Sequence, residues 1–157
     1  MDSELIVHLL VKDRKNNYSE KIVPALARLE GAYSFVMMIN DSIYAARDPH
    51  GFRPLCLGKI GDAYVIASET CALDMVQAEY IRDIEPGEVV IINKNGITSL
   101  RHHGNAKRSF CIFEYIYFSR PDSNIFTKSV YLTRKNLGRM LAKEHPVEAD
   151  IVMPIPD

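Results

Sequence analysis

A chain of 157 residues with 47% hydrophobic and 25% charged side chains has an ordinary globular composition and is long enough to bury a core. Nineteen Lys and Arg against twenty Asp and Glu leave a net charge of −1, so no long-range field argues for nucleic acid or a membrane surface as partner. No run of about 18 apolar residues and no charged-then-apolar leader is present, which makes the cytoplasm the expected compartment. Cys56, Cys71 and Cys111 are widely spaced and form no Cys-x-x-Cys pair, against both a disulfide framework and a self-contained zinc site.

Asp2 or Ser3 is placed to cap a first helix whose apolar face is Leu5, Ile6, Leu9 and Leu10. A polar turn at 13–17 breaks it. Residues 18–29 then read as a second amphipathic helix, with Ile22, Val23, Leu26 and Leu29 at helical spacing. Pro24 inside that span is an objection, which a start close to the proline would meet. After Gly31 the pattern turns to strands: 32–39 and 43–46 around an Asn40-Asp41 turn, then 55–59 and 63–67 around Gly61-Asp62. A short helix is expected at 72–78, followed by a hairpin of 89–92 and 97–100 around Asn95-Gly96. Helices ahead of an antiparallel sheet give an α+β layer arrangement.

Residues 102–108 are polar and irregular and read as a solvated linker. The pair His102-His103 has no nearby carboxylate or Cys and is a weak metal signal. Residues 130–143 are helical, with Leu132, Leu137, Met140 and Leu141 as the apolar side, and 150–156 read as a buried-type strand. Helix followed by apolar strand opens an α/β unit, so a domain boundary is expected within 102–125. The chain enters its first helix with almost no lead-in and closes on a strand with nothing after it, so a fragment of a longer protein is expected.

Two stretches are candidates for function. Residues 111–123 pack aromatic and branched side chains around Glu114 and stop at Arg120-Pro121-Asp122. One reading is a buried segment followed by a turn, since Pro fixes φ and Asp and Ser bond their local backbone. The other is a junction, with apolar residues shared between domains and polar ones facing a cavity. Residues 48–55, Asp-Pro-His-Gly-Phe-Arg-Pro-Leu, mark a tight loop in which Arg53 is either a solvated surface residue or a buried clamp on carboxylate or carbonyl groups.

The 48–55 stretch is similar to the Asp-x-x-Gly-x-Arg-Pro loop of class II glutamine amidotransferases, and Ala67-Ser68-Glu69-Thr70 resembles a second segment of the same superfamily. Both also occur in asparagine synthetases and glutamate synthases. Residues 114–123, with Val130-Tyr131 and 134–138, resemble the amidophosphoribosyltransferase (glutamine phosphoribosylpyrophosphate amidotransferase) family, and 147–157 look like the first strand of its transferase domain. The resemblance implies an Ntn-hydrolase glutaminase domain of α/β/β/α layers, followed by the first helix and strand of an α/β phosphoribosyltransferase domain. It places the later half of the glutaminase domain at 1–108, the interdomain junction at 109–128 and the start of the transferase domain at 129–157.

The family's chemistry, by the same resemblance, has two halves. An N-terminal Cys thiolate attacks the glutamine amide with its own α-amino group as base, and ammonia is released. The ammonia crosses an internal channel and displaces diphosphate from Mg²⁺-bound 5-phosphoribosyl 1-diphosphate, in the first committed step of purine synthesis. Asp2 matches the residue that binds the glutamine α-amino group, although a plain helix cap calls for the same residue type. Cys111 matches a ligand of the 4Fe–4S cluster that some members carry, while Cys56 and Cys71 match none of the other ligands. Tyr117 falls at the domain junction beside the ammonia channel. Purine nucleotide inhibitors and a homo-oligomer are implied. The departures are as instructive: no Cys follows Met1, the residues that hold glutamine and the oxyanion lie upstream in the family, and the acidic phosphoribosylpyrophosphate loop lies downstream. The chain alone is therefore expected to have neither glutaminase nor transferase activity. Two rival readings are another class II amidotransferase such as asparagine synthetase, which leaves 114–123 unexplained, and an inactive truncated relic or interaction module with exposed apolar surface.

Overall fold

The computed structural model describes residues 3–102 and 106–155. Helices α1 (Glu4–Lys12) and α2 (Tyr18–Leu26) form where the apolar spacing places them, burying Ile6, Leu10, Ile22 and Leu26. Leu5 is exposed, so the inward stripe of α1 is narrower than expected. Helix α2 does not wait for Pro24. Asn17 caps it by accepting the Ser19 N–H at 3.0 Å, and the proline falls in its last turn, where it leaves the Glu20 carbonyl without its intrahelical donor and Lys15 Nζ approaches that oxygen at 3.5 Å.

Seven strands make two antiparallel sheets. The first has the order β1 (Ser34–Ile39), β2 (Ser42–Arg47), β6 (Glu88–Asn93), β7 (Gly96–Arg101); the second is β4 (Ala63–Ala67), β3 (Cys56–Ile60), β5 (Glu79–Asp83). Strand alternation sorts the core into layers. Tyr44, Ala46, Val89 and Ile91 face α1 and α2, whereas Ala45 and Val90 turn to the other side and meet Leu55, Ile66 and Ile84 between the sheets. Helix α3 (Thr70–Met75) covers the outer face of the second sheet, packing Leu73 on Cys56, Val65 and Ala67. The result is the α/β/β/α layering expected.

Three local expectations are corrected. The helix expected at 72–78 forms at Thr70–Met75, and the charged stretch after it is strand β5, which pairs with β3 through an irregularity at Leu57/Gly58. The 102–108 stretch is not simply solvated. His102 is buried, with Nε2 2.9 Å from the Arg47 carbonyl oxygen, while His103 lies outside the described residues. The strand expected at 150–156 is not formed: 151–155 join no ladder and Ile151, Val152, Met153 and Ile155 stand exposed, because a buried-type strand needs neighbours to pair with.

Beyond β7 the chain turns through one π-helical turn, Glu114–Phe118, and the small hairpin β8 (Asn124–Ile125) and β9 (Lys128–Ser129) into α4 (Val130–Glu144). Phe126 and Thr127 both take positive φ at the hairpin tip, 48° and 68°, the twist that two-residue hairpins favour. Phe126 offsets that strain by stacking on Phe110 at 4.0 Å between ring centroids.

Candidate functional site

The 48–54 loop is held from inside by two buried charges. Asp48 accepts the N–H groups of His50 (2.9 Å), Gly51 (2.8 Å) and Phe52 (3.0 Å), while its carbonyl takes those of Gly51 and Gly87. Arg47, at the end of β2, donates to the carbonyls of Arg53 (2.9 Å), Ile84 (2.6 Å) and Gly51 (3.1 Å). Burial pulls the Arg47 pKa down, against the opposing pull of Asp83, Asp48 and Glu85. The clamp on carbonyls is thus Arg47 and not Arg53. Gly51 is required here: its φ is +66°, and a Cβ would lie 2.7 Å from Pro86 Cγ.

Arg53 instead reaches the junction. Its Nε lies 2.7 Å from Glu114 Oε1, and its guanidinium stands 4.3 Å over the Phe118 ring. Glu114 is 1% exposed, and its other oxygen accepts the Ser119 hydroxyl at 2.7 Å. The 2.7 Å ion pair is not aligned as a hydrogen bond, so Oε1 has a charge partner but no aligned donor. Arg134 of α4 closes the turn from below, donating to the carbonyls of Tyr115 and Ser119. Beside this pair opens a cleft of about 320 Å³ lined by Tyr33, Ser34, Arg53, Ser68, Glu69 and Glu114 among others.

Glu69 ties the second superfamily segment to the same place. Its Oε2 accepts the Arg120 N–H and the Ser123 hydroxyl, both at 2.8 Å, and Thr70 Oγ1 accepts the Asn124 N–H at 2.8 Å. All three stretches singled out in the sequence therefore converge on one locus. Replacing Glu69 with Ala strips these two donors and the Cys71 thiol, 3.7 Å away, of their acceptor, for an expected loss of about 1–2 kcal/mol. Amide hydrogen exchange should speed up at Arg120 while the β3 amides keep their protection. Unchanged exchange at Arg120 contradicts the tether.

The candidate site residues are not assembled into one centre. Asp2 lies outside the described residues. Tyr117 is 66% exposed, with Ile112, Phe113, Ile116 and Phe118 exposed around it, so this face of the turn points outward and the buried-segment reading holds only for Glu114, Tyr115, Ser119 and Ser123. Cys111 is half-buried, its N–H bonded to the Phe52 carbonyl at 3.2 Å. Cys56 is buried, and desolvation, with Asp83 nearby, pushes its thiol up to about 12, which makes it an inert core residue. Among the described residues no group of three or more His, Cys, Asp or Glu side chains is placed to hold a metal ion. A 4Fe–4S cluster needs four ligands, so these residues do not by themselves fit one.

Comparison with known proteins fits this geometry. A model of the glutamine amidotransferase domain matches residues 1–75. The amidophosphoribosyltransferase of Bacillus subtilis (strain 168) is 51% identical over 99% of this chain and 33% of that protein, and that of Methanocaldococcus jannaschii is 45% identical over 99% and 37%. The solved structure of the B. subtilis glutamine phosphoribosylpyrophosphate amidotransferase, complexed with ADP and GMP, superposes with a TM-score of 0.92 at 51% identity, covering 96% of this chain and 33% of that one. A structure described as the allosteric regulatory enzyme of purine biosynthesis gives 0.91, also at 51% identity, over 95% and 32%. The chain spans about a third of the length of these relatives.

Proposed function

This chain is homologous over nearly its whole length to amidophosphoribosyltransferases, and on that premise we propose that it serves in a polypeptide that turns 5-phosphoribosyl 1-diphosphate and glutamine into 5-phosphoribosylamine, glutamate and diphosphate. In this reading 1–108 is the later half of the glutaminase domain, 109–128 the junction and 129–157 the start of the transferase domain. The observation that carries it is the convergence at Glu69 and Glu114, where the 114–123 stretch is bonded into both class II segments.

The residue roles follow as part of the proposal. Asp2 binds the α-ammonium of glutamine, and exposed Tyr117, with its apolar neighbours, forms a wall that keeps water from ammonia at the junction. Cys111 serves as a 4Fe–4S ligand only if three further ligands come from outside this chain. Mg²⁺, which neutralises the phosphates of the phosphoribosyl donor, is held by residues outside it. Purine nucleotides act as inhibitors; the ADP and GMP in the B. subtilis complex support nucleotide binding in a relative. A homo-oligomer and a cytoplasmic setting complete the reading, although the soybean and Arabidopsis relatives are chloroplastic.

The test is an assay of the intact polypeptide carrying this sequence for glutamine-dependent release of diphosphate from the phosphoribosyl donor. The 157-residue chain by itself is expected to hydrolyse no glutamine. Turnover by the isolated chain, or none by the intact polypeptide, overturns the reading. A second reading, an inactive interaction module, draws on Val36 and Met38, which stand 55% and 78% exposed on edge strand β1.

A further inference from the structure

Residues 114–118 form one π-helical turn, a rare geometry that recurs at functional sites. Its two ends are pinned to each other. Glu114 Oε2 accepts the Ser119 hydroxyl at 2.7 Å, and the Glu114 carbonyl accepts the Ser119 N–H at 3.1 Å. Arg134 adds bonds to the Tyr115 and Ser119 carbonyls. Between the pinned ends Ile116, Tyr117 and Phe118 stand exposed, so the direction in which they project is set from those ends. Arg53 reaches both ends from the 48–54 loop, with Nε 2.7 Å from Glu114 Oε1 and the guanidinium 4.3 Å over the Phe118 ring.

The carboxylate is sealed, with 2% of its side chain exposed, whereas the arginine keeps 42% of its own. Burying an ion pair is a poor way to gain stability, because apolar residues of the same volume do as well or better. The pair is better explained by the orientation it fixes. We propose that Arg53 and Glu114 are positioning residues for ammonia transfer: acting through the turn, they aim Tyr117 and Phe118 so that the wall at the junction stays closed while ammonia passes. The inference rests on the reading of Tyr117 as part of that wall. It goes further in assigning the setting of the wall to two residues that need touch neither ammonia, glutamine nor the phosphoribosyl donor. A pair that served the fold alone would weaken every activity of the polypeptide together. A positioning pair weakens the step that crosses the junction.

The test follows three rates in the intact polypeptide: glutamate formed, diphosphate released with glutamine, and diphosphate released with ammonium chloride in its place. Glu114→Gln keeps the shape of the side chain and an oxygen for the Ser119 hydroxyl but not the charge; Arg53→Gln removes the cation. In each variant the ratio of diphosphate to glutamate is expected to fall to about half the wild-type ratio or lower, while ammonium-driven release stays within about twofold of the wild type. The double variant should fall no further than the single ones, because both substitutions remove one interaction. A ratio unchanged in both single variants overturns the proposal, and so does an equal fall with glutamine and with ammonium. A wild type that releases no diphosphate overturns the proposed function and this inference with it. An active wild type whose variants stay fully coupled overturns this inference alone.

Discussion

Arg47→Met is expected to cost the fold about 3–5 kcal/mol, close to the effect of breaking a buried ion pair. Arg47 is 2% exposed, and its three N–H groups are the donors to the Arg53, Ile84 and Gly51 carbonyls. Methionine fills most of the volume but donates nothing, so three carbonyls lose an interior donor at once. Asp48, fully buried beside it, also loses the nearest compensating charge. Relief of burying a cation offsets part of this, which keeps the figure below the sum of three charged hydrogen bonds. Arg47→Lys restores the charge without the planar fork and should recover less than half of the loss. The chain has no Trp, so urea unfolding is best followed by far-ultraviolet circular dichroism. A Met variant within about 1 kcal/mol of the wild type would mean that solvent reaches those carbonyls when the arginine is gone.

The same loop shows where sequence reasoning stops. Asp48, Gly51 and Pro54 announce a tight turn from their residue types alone, and the turn is there. Which arginine holds it depends on the crossing of β2, the loop and the connection that follows β5 at Ile84, and nothing local distinguishes Arg47 from Arg53. The hairpins β1–β2 and β6–β7 were legible because apolar alternation is interrupted by turn dipeptides whose left-handed residues, Asn40 at φ 52° and Gly96 at φ 107°, need little help from elsewhere. Strand β5 was not legible, because Glu79, Arg82 and Asp83 look like surface and are drawn into a ladder only by β3. His102 reads as part of a polar linker until Arg47 supplies a carbonyl for it. Glu114 was singled out for its aromatic surroundings, yet the reason it can be buried lies some sixty residues away, in Arg53. Polar residues whose partners are remote are invisible to pattern, and the site consists largely of these.

Arg82→Met is expected to remove about 3 kcal/mol at pH 7, and this loss should shrink as the solution is acidified. Arg82 belongs to the second sheet and Glu88 to the first, so their bond is a strut between the two. Glu88 is 3% exposed and accepts from Arg82 Nη1 (2.8 Å) and Nη2 (2.7 Å), Ser99 Oγ (2.6 Å) and the Glu85 N–H (2.7 Å). Burial alone raises its pKa; the bonds from Arg82, Ser99 and Glu85 outweigh that and hold it below the ordinary 4.5. With the folded pKa depressed, the carboxylate contributes stability that is fully present above 4.5 and is lost as pH falls through the folded value. In Arg82→Met burial is left with less opposition, so the folded pKa moves up and the variant gains stability relative to its own neutral value as protons bind. The wild type therefore slopes down toward acid where the variant slopes up, and the two converge. Arg82 is partly open to water, which trims the neutral-pH loss toward the lower end for a broken buried pair. Urea midpoints of both proteins at pH 7 and pH 4 decide it. A gap of the same size at both pH values means that Arg82 acts through the packing of its aliphatic stem, and that the two sheets are held together by their shared apolar core alone.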